Sequence, residues 1–208
     1  MTILGSFKNV TGEIRSKFVA QLTGAKLLDI GCGNGETTKT FCTNGNCVIG
    51  IDVRNRVSSA TRESFQFILA DATHLPFKDK CFDVAVSFDV IEHIIDDRTV
   101  LREAFRVLKK KGTLFIETPN AARLSQRLSR LLTGRLPTYP RYYSSDVIHV
   151  REYTIKEFIP LIERAGFIVE KLTGGWLGLA GRVDIGVTIF PKSLISWAQA
   201  FILFAKKR

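Results

Sequence analysis

The stretch LLDIGCGNGET, residues 27–37, places Gly31, Gly33 and Gly35 directly after a short apolar run that carries Asp29. A glycine-rich turn closing a strand lets the backbone come close to a ligand, because glycine tolerates conformations closed to other residues. A dinucleotide fingerprint, G-x-G-x-x-G, would need its third glycine where Glu36 stands; the spacing here is G-x-G-x-G. That third glycine is what allows close helix–strand packing beside a pyrophosphate. Asp29 also sits two residues before the first glycine, where a dinucleotide fold has an apolar strand residue. The strand, the tight turn and a following helix N-terminus are expected, but the pyrophosphate version is disfavoured. Asp29 points to a cationic group nearby or to a network that holds the loop.

Further apolar runs repeat this unit. KLLDI (26–30), CVIGID (47–52), FQFILA (65–70), FDVAVSF (82–88) and GTLFIET (112–118) read as strands. Most are nearly continuous apolar runs, as expected of parallel strands covered on both faces. Between the last two, Val100, Leu101, Ala104, Phe105 and Leu108 form one helical face, with Asp96 or Asp97 as the cap and Gly112 as the stop. Thr154 and Glu157 have capping-box spacing at the start of a helix over 154–167, in which Pro160 predicts a kink or a late start. FIVEKL and the tail AQAFILFAKKR follow as strands. Alternating strands and helices in 208 residues predict a single doubly wound α/β domain, interrupted at 119–150 by an insertion or lid on the substrate side.

Several of these segments occur in the order that characterises one family. LLDIGCGNGET resembles the first motif of the Rossmann-like S-adenosylmethionine (SAM) methyltransferases, and the resemblance runs from about residue 26 to 120. IGIDV matches the acidic residue after the second strand, LADATHLPF the adenine-reading segment, FDVAVSFDVIEHIID the fourth strand and its turn, and REAFRVLKKKGTLFIETPN the next helix and strand. The resemblance implies a mostly parallel seven-stranded sheet with a helical insertion after the fifth strand. It implies SAM as cofactor, with Asp52 on the ribose hydroxyls and Asp71 and Ala72 on the adenine edge. Asp29, Gly31, Cys32, Gly33, Gly35, Val53 and Phe88 complete the implied cofactor set. SAM carries a sulfonium and an ammonium but no phosphate, so it requires no third glycine.

SFDVIEHI gathers Asp89, Glu92 and His93 in the loop that the resemblance places beside the methyl group. Three readings stand together. His93 is a general base for an acceptor hydroxyl, which its ordinary pKa suits. Alternatively, Asp89, Glu92 and His93 hold a divalent metal, as a similar acidic-x-x-Glu-His pattern does in ubiquinone-biosynthesis O-methyltransferases; Asp89 stands where glutamate is more usual. In the third reading the Glu-His pair is structural. His149, in HVREYT, is a second candidate catalytic histidine.

The chain carries 30 Lys and Arg against 20 Asp and Glu, a net charge of +10. Such an excess favours anionic partners. In AARLSQRLSRLL (121–132), Arg123, Arg127 and Arg130 share a helical face beside Leu124, Leu128, Leu131 and Leu132, and Gly134 and Pro137 mark the end. This basic amphipathic element is either a solvated arginine face with its leucines on the core, or a lid or surface helix that meets an anionic membrane or a phosphorylated acceptor. TYPRYY (138–143) supplies aromatics that flank an acceptor or simply pack. No RNA-binding module or zinc pattern is visible, which argues against nucleic acid. SFDV stands where amino-methylating enzymes carry an N-P-P-Y-type tetrad, which favours an oxygen or carbon of a small or lipid-like acceptor. Two rivals remain: a non-catalytic SAM-fold subunit that binds RNA or protein through its basic face, and a nicotinamide oxidoreductase. The four cysteines form no C-x-x-C pair, the N-terminus has no long apolar core, and no 18-residue apolar run exists, so a cytoplasmic protein is expected.

Overall fold

The computed structural model describes residues 9–135, 138–142, 148–175, 177–179, 183–185 and 192–208. Seven strands form the main sheet: β1 (Lys26–Ile30), β2 (Cys47–Asp52), β3 (Gln66–Leu69), β4 (Phe82–Phe88), β5 (Leu108–Pro119), β6 (Phe167–Gly174) and β7 (Ala200–Lys207). Their spatial order is β3-β2-β1-β4-β5-β7-β6. The first five run parallel, and β7 is antiparallel to both β5 and β6. The sheet is thus the doubly wound, mostly parallel seven-stranded α/β architecture that the sequence implies. The strand order reverses at β1, which lies between β2 and β4, and a crevice opens beyond the carboxyl ends of strands at such a point.

Period-two alternation divides the strand residues between two cores. Leu28, Ile30, Leu114, Ile116, Phe201 and Leu203 face one side. That side is covered by α3 (Asp97–Val107), through Val100, Leu101 and Ala104, and by α5 (Ile155–Arg164), through Phe158 and Ile162. Leu27, Val84, Val86, Phe115 and Ile202 face the other side, where Ile14 and Phe18 of α1 (Asn9–Val19) pack. A single turn of helix, α2 (Ser59–Arg62), precedes β3, and α4 (Leu124–Thr133) follows β5 as the insertion helix.

Local signals explain the helix starts. Asp96 caps α3 by accepting from the Thr99 N–H (3.1 Å) and hydroxyl (2.6 Å). Glu157 reaches back to the Thr154 N–H (2.8 Å), completing the expected box. Some expectations need correction. α3 ends at Val107 rather than at Gly112, because β5 begins at Leu108 without a connecting turn. α5 starts at Ile155 and runs through Pro160; the bond proline cannot make falls on the carbonyl of the exposed Lys156. The segment after the glycine turn forms only a 3₁₀ turn, Thr38–Phe41, instead of an α-helix. Its β-branched threonines and the following Asn44-Gly45-Asn46 leave little to propagate a helix. Pro137 and the stretch 143–147 lie outside the described residues.

Asp29 shows what that 3₁₀ turn contributes. Its carboxylate is buried in β1 and accepts from the Thr38 hydroxyl at 2.6 Å, tying the turn to the strand. Burial pushes its pKa up to about 6, against smaller lowering contributions from Thr38 and Arg15. The folded chain therefore binds more protons than the unfolded chain between about pH 4 and 6, and stability falls as pH rises through that window. Asn keeps an acceptor for Thr38 without the charge. We expect Asp29→Asn, without ligand, to be more stable than wild type at pH 7.5 by on the order of 1–3 kcal/mol, with the gain vanishing near pH 4. Urea denaturation at both pH values checks this; a gain that grows towards low pH would contradict it.

Candidate active site

The carboxyl ends of β1 and β4 meet the loop after β2 around one cavity of about 440 Å³. Gly31 and Gly33 have φ of +78° and +57°. A Cβ on Gly31 would run into Val90, whereas one on Gly33 would meet nothing and would project into open space. The N–H groups of Gly31 and Cys32 both donate to the Ile51 carbonyl at 2.9 Å, and that of Gly33 donates to the Asp52 carboxylate at 2.9 Å. The second oxygen of Asp52 accepts from the Arg54 N–H at 2.9 Å. Asp52 therefore clasps the glycine turn to the end of β2 while its half-exposed carboxylate stays on the cavity wall.

Of the residues singled out from the sequence, Gly31, Gly33, Asp52, Val53, Asp71 and Ala72 line this cavity. So do Asp89 and His93. Asp29, Cys32, Gly35 and Phe88 are not on its wall. Asp29 is the network residue described above. A Cβ on Gly35 would strike Phe65, so this glycine serves packing. Burial pushes the Cys32 thiol up to about 12, leaving it unreactive. Phe88 lies beneath Arg15, whose guanidinium sits 4.0 Å from the ring centroid.

Arg15 was not singled out from the sequence. It reaches from α1 to donate to Glu117 on β5 at 2.7 Å, across 102 positions of chain. Burial raises the Glu117 carboxyl to about 7, with Arg15 opposing it and Asp89 adding to it. Asp89 sits at φ +54°, uncommon for a residue with a side chain. Its carboxyl opens to the cavity but is hemmed in by protein, and this burial raises its pKa against the pull of Arg15, His149 and His93.

The acid–histidine cluster assembles differently from its sequence order. Glu92, His93 and His149 come together, with donor atoms within 4.8 Å of one another; Asp89, implied as the third metal ligand, is not in that group. Glu92 is fully buried, and burial followed by the Asp89 charge pushes its carboxyl up to about 8. The His93 Nδ1 lies 2.7 Å from the Ile148 carbonyl, which can only accept, so that nitrogen carries the proton. The His149 Nδ1 lies 3.1 Å from Glu152. The Glu152 carboxyl is held down at about 2 by its hydrogen bonds to His149 and Arg123, which outweigh its burial. Arg123 is thus not on an exposed arginine face. It precedes α4, is buried, and pairs with Glu152. A two-residue strand, Ile148–His149, pairs with Arg141–Tyr142 and carries His149 to the site, where its ring meets that of His93 edge to face at 4.8 Å.

Residues 28–116 match the family model described as "Methyltransferase domain". A "Probable S-adenosylmethionine-dependent methyltransferase" of Mycolicibacterium smegmatis is 30% identical over 178 residues, covering 83% of this chain and 63% of that protein. The mitochondrial "Ubiquinone biosynthesis O-methyltransferase" of Bos taurus is 38% identical over 126 residues, covering 55% of this chain and 34% of the relative. The chain thus spans between about a third and two thirds of the length of these relatives. A solved S-adenosylmethionine-dependent methyltransferase from Mesorhizobium loti shares the fold, with a TM-score of 0.69 and 14% identity over 97% of this chain and 100% of that one. The missing third glycine and the motif order agree with these matches and set the nicotinamide reading aside. Residues 28–116 thus form a methyltransferase domain of the kind found in the SAM-dependent methyltransferases.

Proposed function

We propose that this protein transfers the methyl group of SAM to an oxygen, or less readily a carbon, of a small or lipid-like acceptor. The observation that carries the reading is the charge of the site. In a chain of net charge +10, Asp52 and Asp89 line the cavity, and Asp29, Glu92 and Glu117 lie within electrostatic reach of them. Asp52 and Asp89 suit a sulfonium and an ammonium, and a bound cation would favour ionisation of the buried acids behind them, while Arg54 and Arg56 share the cavity wall. The distant O-methyltransferase relatives favour an oxygen acceptor.

SAM supplies an activated methyl carbon whose bond to sulfur breaks as the bond to the acceptor forms. The chain's own residues do the rest. Asp52 offers remaining lone pairs to vicinal hydroxyls, and Asp71 and Ala72 form the wall for the base. Arg15, held over Phe88, pairs with Glu117 and braces the acids behind the cavity. Gly33 leaves its side open for the ligand. The Glu92, His93 and His149 cluster adjoins the cavity where an acceptor hydroxyl must lose its proton, and alignment of the two reactants supplies much of the rate.

The test uses SAM labelled in the methyl group and pools of phenolic and lipid extracts, reading label in alkali-stable ether products. Asp52→Ala should weaken SAM binding by about 1.5–3 kcal/mol, the range for hydrogen bonds to a charged group, and should lower methylation at subsaturating SAM. Unchanged SAM affinity in a folded Asp52→Ala protein would remove the assignment.

A second reading, peripheral contact of the insertion with an anionic membrane, rests on α4. None of its side chains is buried, and Leu131 and Leu132 are 80% and 81% exposed beside Arg127 and Arg130. Arg127 is partly committed, donating to the Ala122 carbonyl at 2.6 Å and lying over Trp197. Among the described residues no helix is long and apolar enough to cross a membrane. Co-sedimentation with anionic vesicles should fall with salt and should drop at least fivefold for Arg130→Gln combined with Leu131→Ser and Leu132→Ser, given about 1 kcal/mol per surface arginine. Equal sedimentation of variant and wild type would exclude α4 as the contact.

A further inference from the structure

Glu92 leaves one buried oxygen without a hydrogen-bond partner. Its Oε2 accepts from the Thr118 hydroxyl at 3.0 Å, whereas its Oε1 has no hydrogen-bond partner among the described residues and lies 4.0 Å from the His93 Nε2. The backbone around it is fixed, since the Glu92 carbonyl accepts from the N–H groups of Val150 and Arg151. Stranding a carboxylate oxygen in a protein interior is costly unless something charged or hydrogen-bonding meets it. The His93 and His149 imidazoles lie beside it, with their donor atoms and that of Glu92 all within 4.8 Å of one another, and the Asp89 and Glu152 carboxyls lie within electrostatic reach.

Both imidazoles are also held from behind. The His93 Nδ1 donates to the Ile148 carbonyl, and the His149 Nδ1 to the Glu152 carboxylate. Glu152 in turn receives Arg123 through both guanidinium nitrogens, and Arg123 donates to the Asn120 carbonyl at 2.9 Å. A carbonyl or carboxylate on the second ring nitrogen is the arrangement that fixes tautomer and orientation in metal-binding histidines.

We propose that Glu92, His93 and His149 bind one divalent transition-metal cation, with Glu152 as the residue that positions His149 for it. The ligand set departs from the pattern implied by sequence, since the insertion supplies His149 and Asp89 stays outside on the cavity wall. Two imidazoles and one carboxylate suit Zn²⁺, Co²⁺, Ni²⁺ or Fe²⁺ better than Mg²⁺, which prefers oxygen ligands and keeps its waters. Metal–ligand bonds of ~2.0–2.2 Å require the three side chains to draw together by about 1 Å. The cation would neutralise the stranded oxygen and tie the turn after β4 to the insertion. Its use as a Lewis acid towards an acceptor oxygen rests on the methyl-transfer reading; its binding does not.

The test is titration of the chelator-stripped, full-length protein with Co²⁺, read by visible absorbance, and with Zn²⁺, read by calorimetry. Wild type should bind one equivalent. Glu92→Gln and His149→Ala should each lower affinity at least 100-fold, Glu152→Gln should lower it 10–100-fold, and Asp89→Asn should leave it within threefold. Circular dichroism establishes that each variant is folded, and His149→Gln replaces His149→Ala if the latter is not. Absence of stoichiometric binding by wild type would overturn the proposal, as would loss of binding in Asp89→Asn with retention in the His149 variant. Binding with this ligand pattern but no methyl transfer to any acceptor would support the metal site and count only against the function proposed above.

Discussion

The reversal of strand order at β1 is the constraint on which the rest depends. β1 pairs with β2 on one side and β4 on the other, and Leu27, Leu28 and Ile30 bury both of its faces. The chain leaving β1 must therefore turn at once at the carboxyl edge, between two strand ends that diverge. The glycine turn makes that possible, because Gly31 sits against Val90 where no Cβ fits. Asp52 then accepts the Gly33 N–H and joins the turn to the neighbouring strand end. The cavity is the space these two requirements leave.

Electrostatics adds a second layer. The site concentrates carboxylates in a basic protein, and Arg15 is bound among them, to Glu117 directly and through space to Asp29 and Asp89. Several of these acids are buried strongly enough to resist ionising, Glu92 most of all. A cationic ligand lowers the cost of ionising such a group, so sulfonium binding and carboxylate ionisation support each other. Other basic residues lie on α3, α4 and the ends of β5 and β7, while Arg54 and Arg56 stand on the cavity wall itself.

Much of this was legible in the sequence. The boundaries of β1, β2 and β4 were readable because buried parallel strands are continuous apolar runs closed by glycine or charge. That Gly31, Gly33, Asp52 and Asp71 border one cavity was readable because their positions depend on local spacing from a strand end, whereas Gly35 serves packing. The site residues that escaped are those joined by tertiary contact alone. Nothing near Arg15 in sequence announces Glu117, and nothing near Arg123 announces Glu152. Arg123 was placed on an exposed helical face because periodicity assigns faces within a helix, whereas Arg123 precedes the helix, and the carboxylate that draws it inward is 29 positions away. His149 was visible only as a lone histidine; its partnership with Glu92 and His93 requires the fold of the insertion. The helix expected after the glycine turn failed for a local reason, since β-branched and turn-forming residues between β1 and β2 support no more than one 3₁₀ turn.

The most direct measurement is a calorimetric titration of the full-length protein with SAM and, under the same conditions, with NADH. A cavity with Asp52, Asp71 and Asp89 on its wall and a G-x-G-x-G turn at its edge should bind SAM saturably with one site per chain, and should show no heat of binding with NADH. Saturable binding of NADH, with none of SAM, would contradict the account at its centre.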